Sequence, residues 1–172
     1  MHTDADVHHP IESPLGPLLL TGNGEALTGL YMKRWKERPE ADRERYRDDA
    51  LFRAAREQLA AYFAGQLREF ELPLAPRGSD FQQSVWRTLA EIPYGETESY
   101  GELARRLGNP GASRAVGLAN GRNPLGIIVP CHRVIGANGT LTGYGGGLER
   151  KQWLLDHERR HAGGQAALPG FG

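Results

Sequence analysis

The chain holds one cysteine in 172 residues, Cys131, inside the stretch IIVPCHRVIG at residues 127–136. A lone thiol can form neither an internal disulfide nor a cysteine-rich zinc site. Taken without context, a free cysteine is a small buried hydrophobe, but the neighbours of Cys131 point elsewhere. A thiol becomes a nucleophile when a base or a positive charge lowers its pKa from about 8.5 toward neutrality, and His132 and Arg133 come next in the chain. Adjacent side chains on a plain strand face opposite ways, so His132 can serve Cys131 only if the chain bends. Otherwise it is a surface histidine. Pro130 predicts the bend, because its ring fixes φ. A working Cys-His pair also needs a third group to orient the imidazole. Asn123, Asp156 and Glu158 are the candidates, and spacing does not choose among them.

The elements around this stretch read as helices. Ser79 with Gln82, and Ser99 with Glu102, match the capping box in which a hydroxyl and a side chain three residues on satisfy each other's amides. The first opens a helix carrying Phe81, Val85, Trp86, Leu89 and Ile92. The second opens a short helix from Tyr100 to Leu107, stopped at Gly108. Asn109-Pro110 predicts the start of another helix running to about Asn120. Two short helices joined by a glycine-containing turn form a helix-turn-helix pattern. The segment GANGTLTGYGGG lacks the Gly-Lys-Ser/Thr of a P-loop and reads as a mobile or tightly turned loop. A last helix spans about Leu148 to Arg160, with Trp153, Leu154 and Leu155 inward.

The first part of the chain reads differently. SPLGPLLLTGNGEALTGLYM has two apolar runs around Thr21-Gly22-Asn23-Gly24, which predicts a hairpin. Residues 33–49 are dense in both charge signs and read as an exposed connection. Leu51, Ala55, Leu59 and Tyr62/Phe63 recur at helical spacing before Gly65. REFELPLAPRG reads as one more strand and then a linker, which divides the chain into residues 1–76 and 77–172. The N-terminal decapeptide MHTDADVHHP, with His2, His8 and His9, reads as disordered and is not a secretory signal.

Composition places the chain among globular proteins, with 39% hydrophobic and 24% charged residues. No apolar run approaches the roughly 20 residues that span a bilayer, and a lone thiol suits a reducing compartment. A cytoplasmic protein without a membrane partner is expected. The formal net charge is zero, yet residues 1–76 carry 10 Lys/Arg against 13 Asp/Glu and residues 77–172 carry 11 against 8. Arg105, Arg106, Arg114, Arg122 and Arg133 meet a single acid, Glu102, between Ser99 and Arg133. On charge alone this is a solvated face. The alternative is a patch for a polyanion. Two functions fit these features: a cysteine hydrolase, and a helix-turn-helix module without chemistry.

The stretch IPYGETESYGELARRLGNPGASRAVGLANGRNPLGIIVPCHRVIGANGTLTGYGGGLERKQWLLDHE resembles the O6-alkylguanine-DNA alkyltransferases, also called methylated-DNA–protein-cysteine methyltransferases. The likeness covers almost all of residues 79–158, with PCHRV at its centre. SPLGPL and AYFAGQL extend it more loosely into the first half. The resemblance implies an α+β chain, with a small sheet-plus-helix support domain at 1–76. Residues 77–172 are then a mostly helical DNA-binding and alkyl-transfer domain containing the helix-turn-helix.

The resemblance also implies a chemistry. Cys131 is the acceptor thiolate for an alkyl group on guanine O6, and on thymine O4, in DNA. His132 takes the thiol proton through a water, Glu158 polarises His132, and Asn123 tethers the same network. Tyr100 donates to the departing base. Arg114 fills the gap left by the extruded nucleotide, from a helix lying in the minor groove. Ser113, Ala115 and Ala119 are further DNA contacts, the alanines allowing close approach. Tyr144 and the backbone of Gly145 and Val134 line the guanine pocket. The thioether product does not hydrolyse, so each molecule turns over once. The partner is double-stranded DNA bearing O6-alkylguanine, without sequence preference, engaged by a monomer that can assemble cooperatively along it. No cofactor and no metal are expected. The zinc-binding cysteines that some relatives carry in the first half are missing here, Gly145 stands where a serine is frequent, and Asn120 stands where some relatives have a bulky apolar residue.

Overall fold

The computed structural model describes residues 6–32 and 47–167. β1 (Val7–Ile11), β2 (Leu18–Gly22) and β3 (Leu27–Tyr31) form an antiparallel sheet in the order β1-β2-β3. The β2–β3 hairpin is the one expected. Its turn is held by Asn23, whose Oδ1 accepts the amides of Glu25 and Ala26 at 2.9 Å each, while Gly24 takes φ 96°, a value that suits a residue without Cβ. β1 corrects the expectation of a disordered N-terminal segment. His8 and His9 pair with Thr21 and Leu20, His8 is buried, and His9 stacks on Phe52. His2, and residues 33–46 of the charged connection, lie outside the described residues.

Asp49 caps α1 (Ala50–Phe63) by accepting the Phe52 amide. Phe52, Ala55, Leu59 and Tyr62 face inward, so the apolar stripe starts at Phe52 and not at Leu51. Gly65 ends the helix at φ 78°, against the ring of His161. The strand expected after it shrinks to a single bridge between Leu74 and Leu27. Pro73 and Pro76 flank that bridge and have no amide to extend it. Only the Leu27 amide to the Pro73 carbonyl and the Ala75 amide to the Leu27 carbonyl remain, both at 2.8 Å.

The second half contains α2 (Asp80–Leu89), β4 (Glu98–Ser99), α3 (Tyr100–Arg106), α4 (Ser113–Gly121), β5 (Val134–Ile135) and α5 (Leu148–Ala167). Both capping boxes are formed, at α2 and at α3. α4 begins later than expected. Asn109-Pro110 lies in the turn before it, where the Asn109 carbonyl accepts the Ala112 amide at 3.0 Å, and Ala112 at the N-cap offers no side-chain bond. α5 runs past residue 160, because Gly163-Gly164 does not stop it. β4 and β5 pair in parallel, Glu98 with Val134 and Ser99 with Ile135.

One apolar core draws on both halves, with Leu20, Leu27, Phe52 and Leu59 in the same cluster as Val85, Leu89, Leu103, Val116, Leu125 and Leu154. β3 is also clasped to the stretch that precedes Cys131: Leu30 bridges Leu125, and its amide donates to the Pro124 carbonyl at 2.8 Å. Among the described residues no helix is long and apolar enough to cross a membrane.

Candidate active site

Residues 123–133 make two tight turns and so present Cys131. The Ile128 amide donates to the Gly126 carbonyl at 2.8 Å around Ile127, whose φ is 73°. A β-branched residue in the left-handed region is strained by about 1–3 kcal/mol and persists only when its surroundings over-determine it. Here the clamps are β3 on one side and Asn123 on the other. Asn123 Oδ1 accepts the Leu125 amide at 3.0 Å and its Nδ2 donates to the Val129 carbonyl at 2.9 Å. The second turn brings the Cys131 amide to the Val129 carbonyl at 2.8 Å. At its centre, Pro130 has φ −79° and ψ 62°, the inverse γ-turn that a proline ring accommodates. A single 3₁₀ turn, Cys131–Arg133, follows. The bend expected at Pro130 is present.

Glu158 on α5 gathers the groups around His132. Its Oε2 accepts His132 Nε2–H at 2.7 Å, the Tyr62 hydroxyl at 2.6 Å and Arg133 Nη2 at 3.0 Å. Its Oε1 accepts Arg133 Nε at 2.8 Å and the Gly95 amide at 3.2 Å. Of the three candidates for orienting the imidazole, Glu158 is therefore the partner. Asn123 holds the turns instead, and Asp156 accepts from Gln152. Arg133 was a candidate source of positive charge for the thiol. Its guanidinium instead binds Glu158 and the Ile92 carbonyl and lies over the Tyr94 ring. Burial alone would raise the Glu158 carboxyl, but the bonds from His132 and Arg133 outweigh it and hold the group well below the usual range. Burial pushes His132 below its ordinary value despite Glu158. The imidazole is neutral at pH 7, and its Nδ1 is buried without a partner among the described residues. With Nε2 donating to Glu158, Nδ1 is the nitrogen that can accept a proton.

Cys131 is buried, and desolvation pushes its thiol up to about 11, with Asn123 and Lys151 pulling the other way. Burial thus favours the neutral thiol over the thiolate expected from sequence, and the guanidinium of Arg133, next but one in the chain, is engaged with Glu158. Lys151 on α5 is a further charged group near the thiol, with no motif in the sequence to mark it. It is fully buried, donates from Nζ to the Thr142 carbonyl at 2.6 Å, and is pushed down to about 8 by burial, with Cys131 opposing that shift.

A cavity of about 270 Å³ opens over Cys131, and its lining includes Asn120, Asn123, Tyr144, Gly145, Gly146 and Met32. Tyr144 and Gly145 are on the cavity wall. Val134 is buried in β5 and is not on the cavity wall. Tyr100 is also off the wall, its hydroxyl 2.9 Å from Thr142 Oγ1 on the glycine-rich loop. That loop is tightly turned, with the Gly136 amide on the Thr140 carbonyl and the Gly147 amide on the Tyr144 carbonyl.

On α4, Arg114 and Ala115 are exposed, Ser113 is half-buried, and Leu118 is 63% exposed. Ala119 is not on that face. It is 3% exposed and its carbonyl accepts Trp86 Nε1 at 2.9 Å, so the side of α4 that packs on α2 holds it. The arginine run also divides: Arg133 is buried, Arg106 is paired with Glu91 and Glu98, and Arg105, Arg114 and Arg122 face outward.

Acid should weaken the fold through this cluster. His132 lies below its ordinary 6.5, so the unfolded chain takes that proton first and stability falls as pH drops below 6.5. Glu158 lies below 4.5, so its contribution is present above 4.5 and is lost as pH falls through its folded value. The expected outcome is a Tm that is level near about pH 8, declines as the pH falls from about 7 through the histidine range, and declines further below about pH 4.5; a Tm that rises on acidification contradicts it.

Two family models match the chain. The DNA-binding domain of 6-O-methylguanine DNA methyltransferase matches residues 80–160, and the ribonuclease-like domain of the same family matches residues 7–76. A methylated-DNA–protein-cysteine methyltransferase of Methanosarcina acetivorans is 56% identical over 86% of this chain and 94% of its own length. The crystal structure of the Mycobacterium tuberculosis O6-methylguanine methyltransferase superposes with a TM-score of 0.81 at 55% identity, over 91% of this chain and 94% of that one. The Mycobacterium tuberculosis OGT in complex with DNA gives 0.80 at 55% identity, over 90% and 93%.

Proposed function

The chain belongs to the 6-O-methylguanine DNA methyltransferase family, and from that premise we propose that it repairs DNA by moving an alkyl group from guanine O6 onto its own Cys131. The observation that carries this reading is the set of buried groups at the cavity. A lone thiol lies in its lining, and the adjacent imidazole is tied through Nε2 to Glu158 and free at Nδ1.

The resting thiol makes proton removal part of the transfer. The thiol proton goes to His132 Nδ1, directly or through a water, and Glu158 steadies the imidazolium that forms. The sulfur forms a bond to the alkyl carbon as the carbon–O6 bond breaks, and the bonding pair leaves with guanine. Guanine then needs a proton, and the Tyr100 hydroxyl, which rests against Thr142 of the glycine-rich loop, supplies it once it leaves Thr142. The proton held by His132 restores Tyr100 through solvent. O4-alkylthymine offers the same electrophilic carbon. Residues 77–172 carry the chemistry, and residues 1–76 brace it through β3 and Tyr62.

The lesion lies inside a stacked duplex and must be turned out to reach the cavity. Exposed Arg114 on α4 is the side chain that fills the gap, and Arg105 and Arg122 meet phosphates. Arg114→Ala is expected to slow transfer from duplex DNA by about tenfold, the equivalent of about 1.4 kcal/mol. The loss should be clearly smaller on single-stranded DNA, where no base pair is opened. Single-turnover rates on both substrates check this.

The product thioether has no easily displaced group, and no second thiol exists to accept the alkyl. Alkylation also adds volume at a residue only 5% exposed. Alkylated protein is therefore expected to be less stable by about 1–3 kcal/mol, measured by urea unfolding before and after reaction. The function itself is tested with a duplex carrying one O6-methylguanine. Restored guanine should saturate at one equivalent per chain, and guanine that keeps accumulating in excess DNA contradicts the proposal.

A further inference from the structure

Met32 belongs to the first half of the chain, directly after β3, yet it lines the cavity that holds Cys131. Its backbone is anchored there, since Leu30, two residues earlier, donates to Pro124 and bridges Leu125. Two glycines leave room for its side chain. A Cβ on Gly126 would lie 2.7 Å from Met32 Cε, and a Cβ on Gly146 would lie 2.8 Å from Met32 Sδ. The Tyr144 hydroxyl donates toward Sδ at 4.0 Å. A thioether on an unbranched stem fills irregular space and adjusts to what it meets.

We infer that Met32 is a specificity-determining residue, a wall supplied by the N-terminal half that limits the size of the alkyl group reaching Cys131. The inference rests on the alkyl-transfer reading. It gives the N-terminal half a part in substrate choice as well as in support. The wall is side-chain bulk on a fixed backbone, so shortening it should widen the cavity between Gly126, Gly146 and Tyr144 without moving the sulfur of Cys131.

The test compares single-turnover transfer from duplexes carrying O6-methylguanine and O6-benzylguanine, in the full chain and in Met32→Ala and Met32→Leu. A hydrophobic pocket discriminates by about 10–200-fold per missing or extra methylene. The benzyl-to-methyl rate ratio is therefore expected to rise by about tenfold in Met32→Ala and to stay at the parent value in Met32→Leu, which keeps the bulk. Met32→Val should show a smaller rise and serves if the alanine variant does not fold. Gly126→Ala should lower the ratio in the parent and be tolerated when combined with Met32→Ala, because the colliding methyl is then gone. An unchanged ratio in Met32→Ala, or an equal rise in Met32→Leu, overturns the inference while leaving alkyl transfer intact. Failure of both lesions to label Cys131 in the parent chain overturns the alkyl-transfer reading, and this inference with it.

Discussion

Cys131→Ala is expected to abolish alkyl transfer completely while leaving the fold and duplex binding in place. The reaction needs an atom that can give up a proton and then form a stable bond to carbon, and the chain has no second thiol. The side chain is small and only 5% exposed, so its loss removes one buried atom. The DNA-facing side chains, Arg114 among them, lie on α4, a separate element. Gel-shift binding that survives beside a total loss of guanine restoration is the expected pair of results. A DNA-binding module without chemistry predicts that Cys131→Ala leaves its function unaltered, and persistent guanine restoration in the variant would contradict the role of the sulfur.

Glu158→Gln should lower stability and rate together. Glu158 is 1% exposed and receives bonds from Tyr62, His132, Arg133 and Gly95. Removing one partner from a buried ion pair leaves the other charge uncompensated and costs about 3–5 kcal/mol. Here the stranded group is Arg133, which among the described residues keeps the Ile92 carbonyl and the Tyr94 ring. The glutamine nitrogen would also face donors. At the same time His132 loses the anion that makes it a competent base, and transfer should slow by about a hundredfold. Urea midpoints and single-turnover rates measure the two effects, and a variant as stable as the parent would show that Arg133 finds another counter-ion.

Much of this site was legible in the sequence because its pieces are local. A proline before Cys-His forces a turn, and both capping boxes announce their helices within four residues. Ile127 was not legible, since a β-branched residue signals extended chain and adopts φ 73° only under the pull of β3 and Asn123. The choice of Glu158 over Asp156 depends on which side of α5 faces His132. A signal did exist: Lys151, Leu154, Leu155 and Glu158 fall at i, i+3, i+4 and i+7 on one helix face. Two charged residues on an apolar stripe mark buried polar function, and both turn out to act on the site. Tyr62 could not be read at all, because its apolar neighbours explain it as core and its hydroxyl partner lies 96 residues away. The surroundings of the thiol are hidden for a related reason. Sequence adjacency put Arg133 beside Cys131, and the fold turned its charge toward Glu158.

One sulfur accepts one alkyl group, and peptide mapping by mass spectrometry after reaction with excess duplex carrying O6-methylguanine measures this. The Cys131 peptide is expected to gain a single methyl in every chain, with no other peptide changed. An unmodified Cys131 peptide in a preparation that has restored guanine would contradict it.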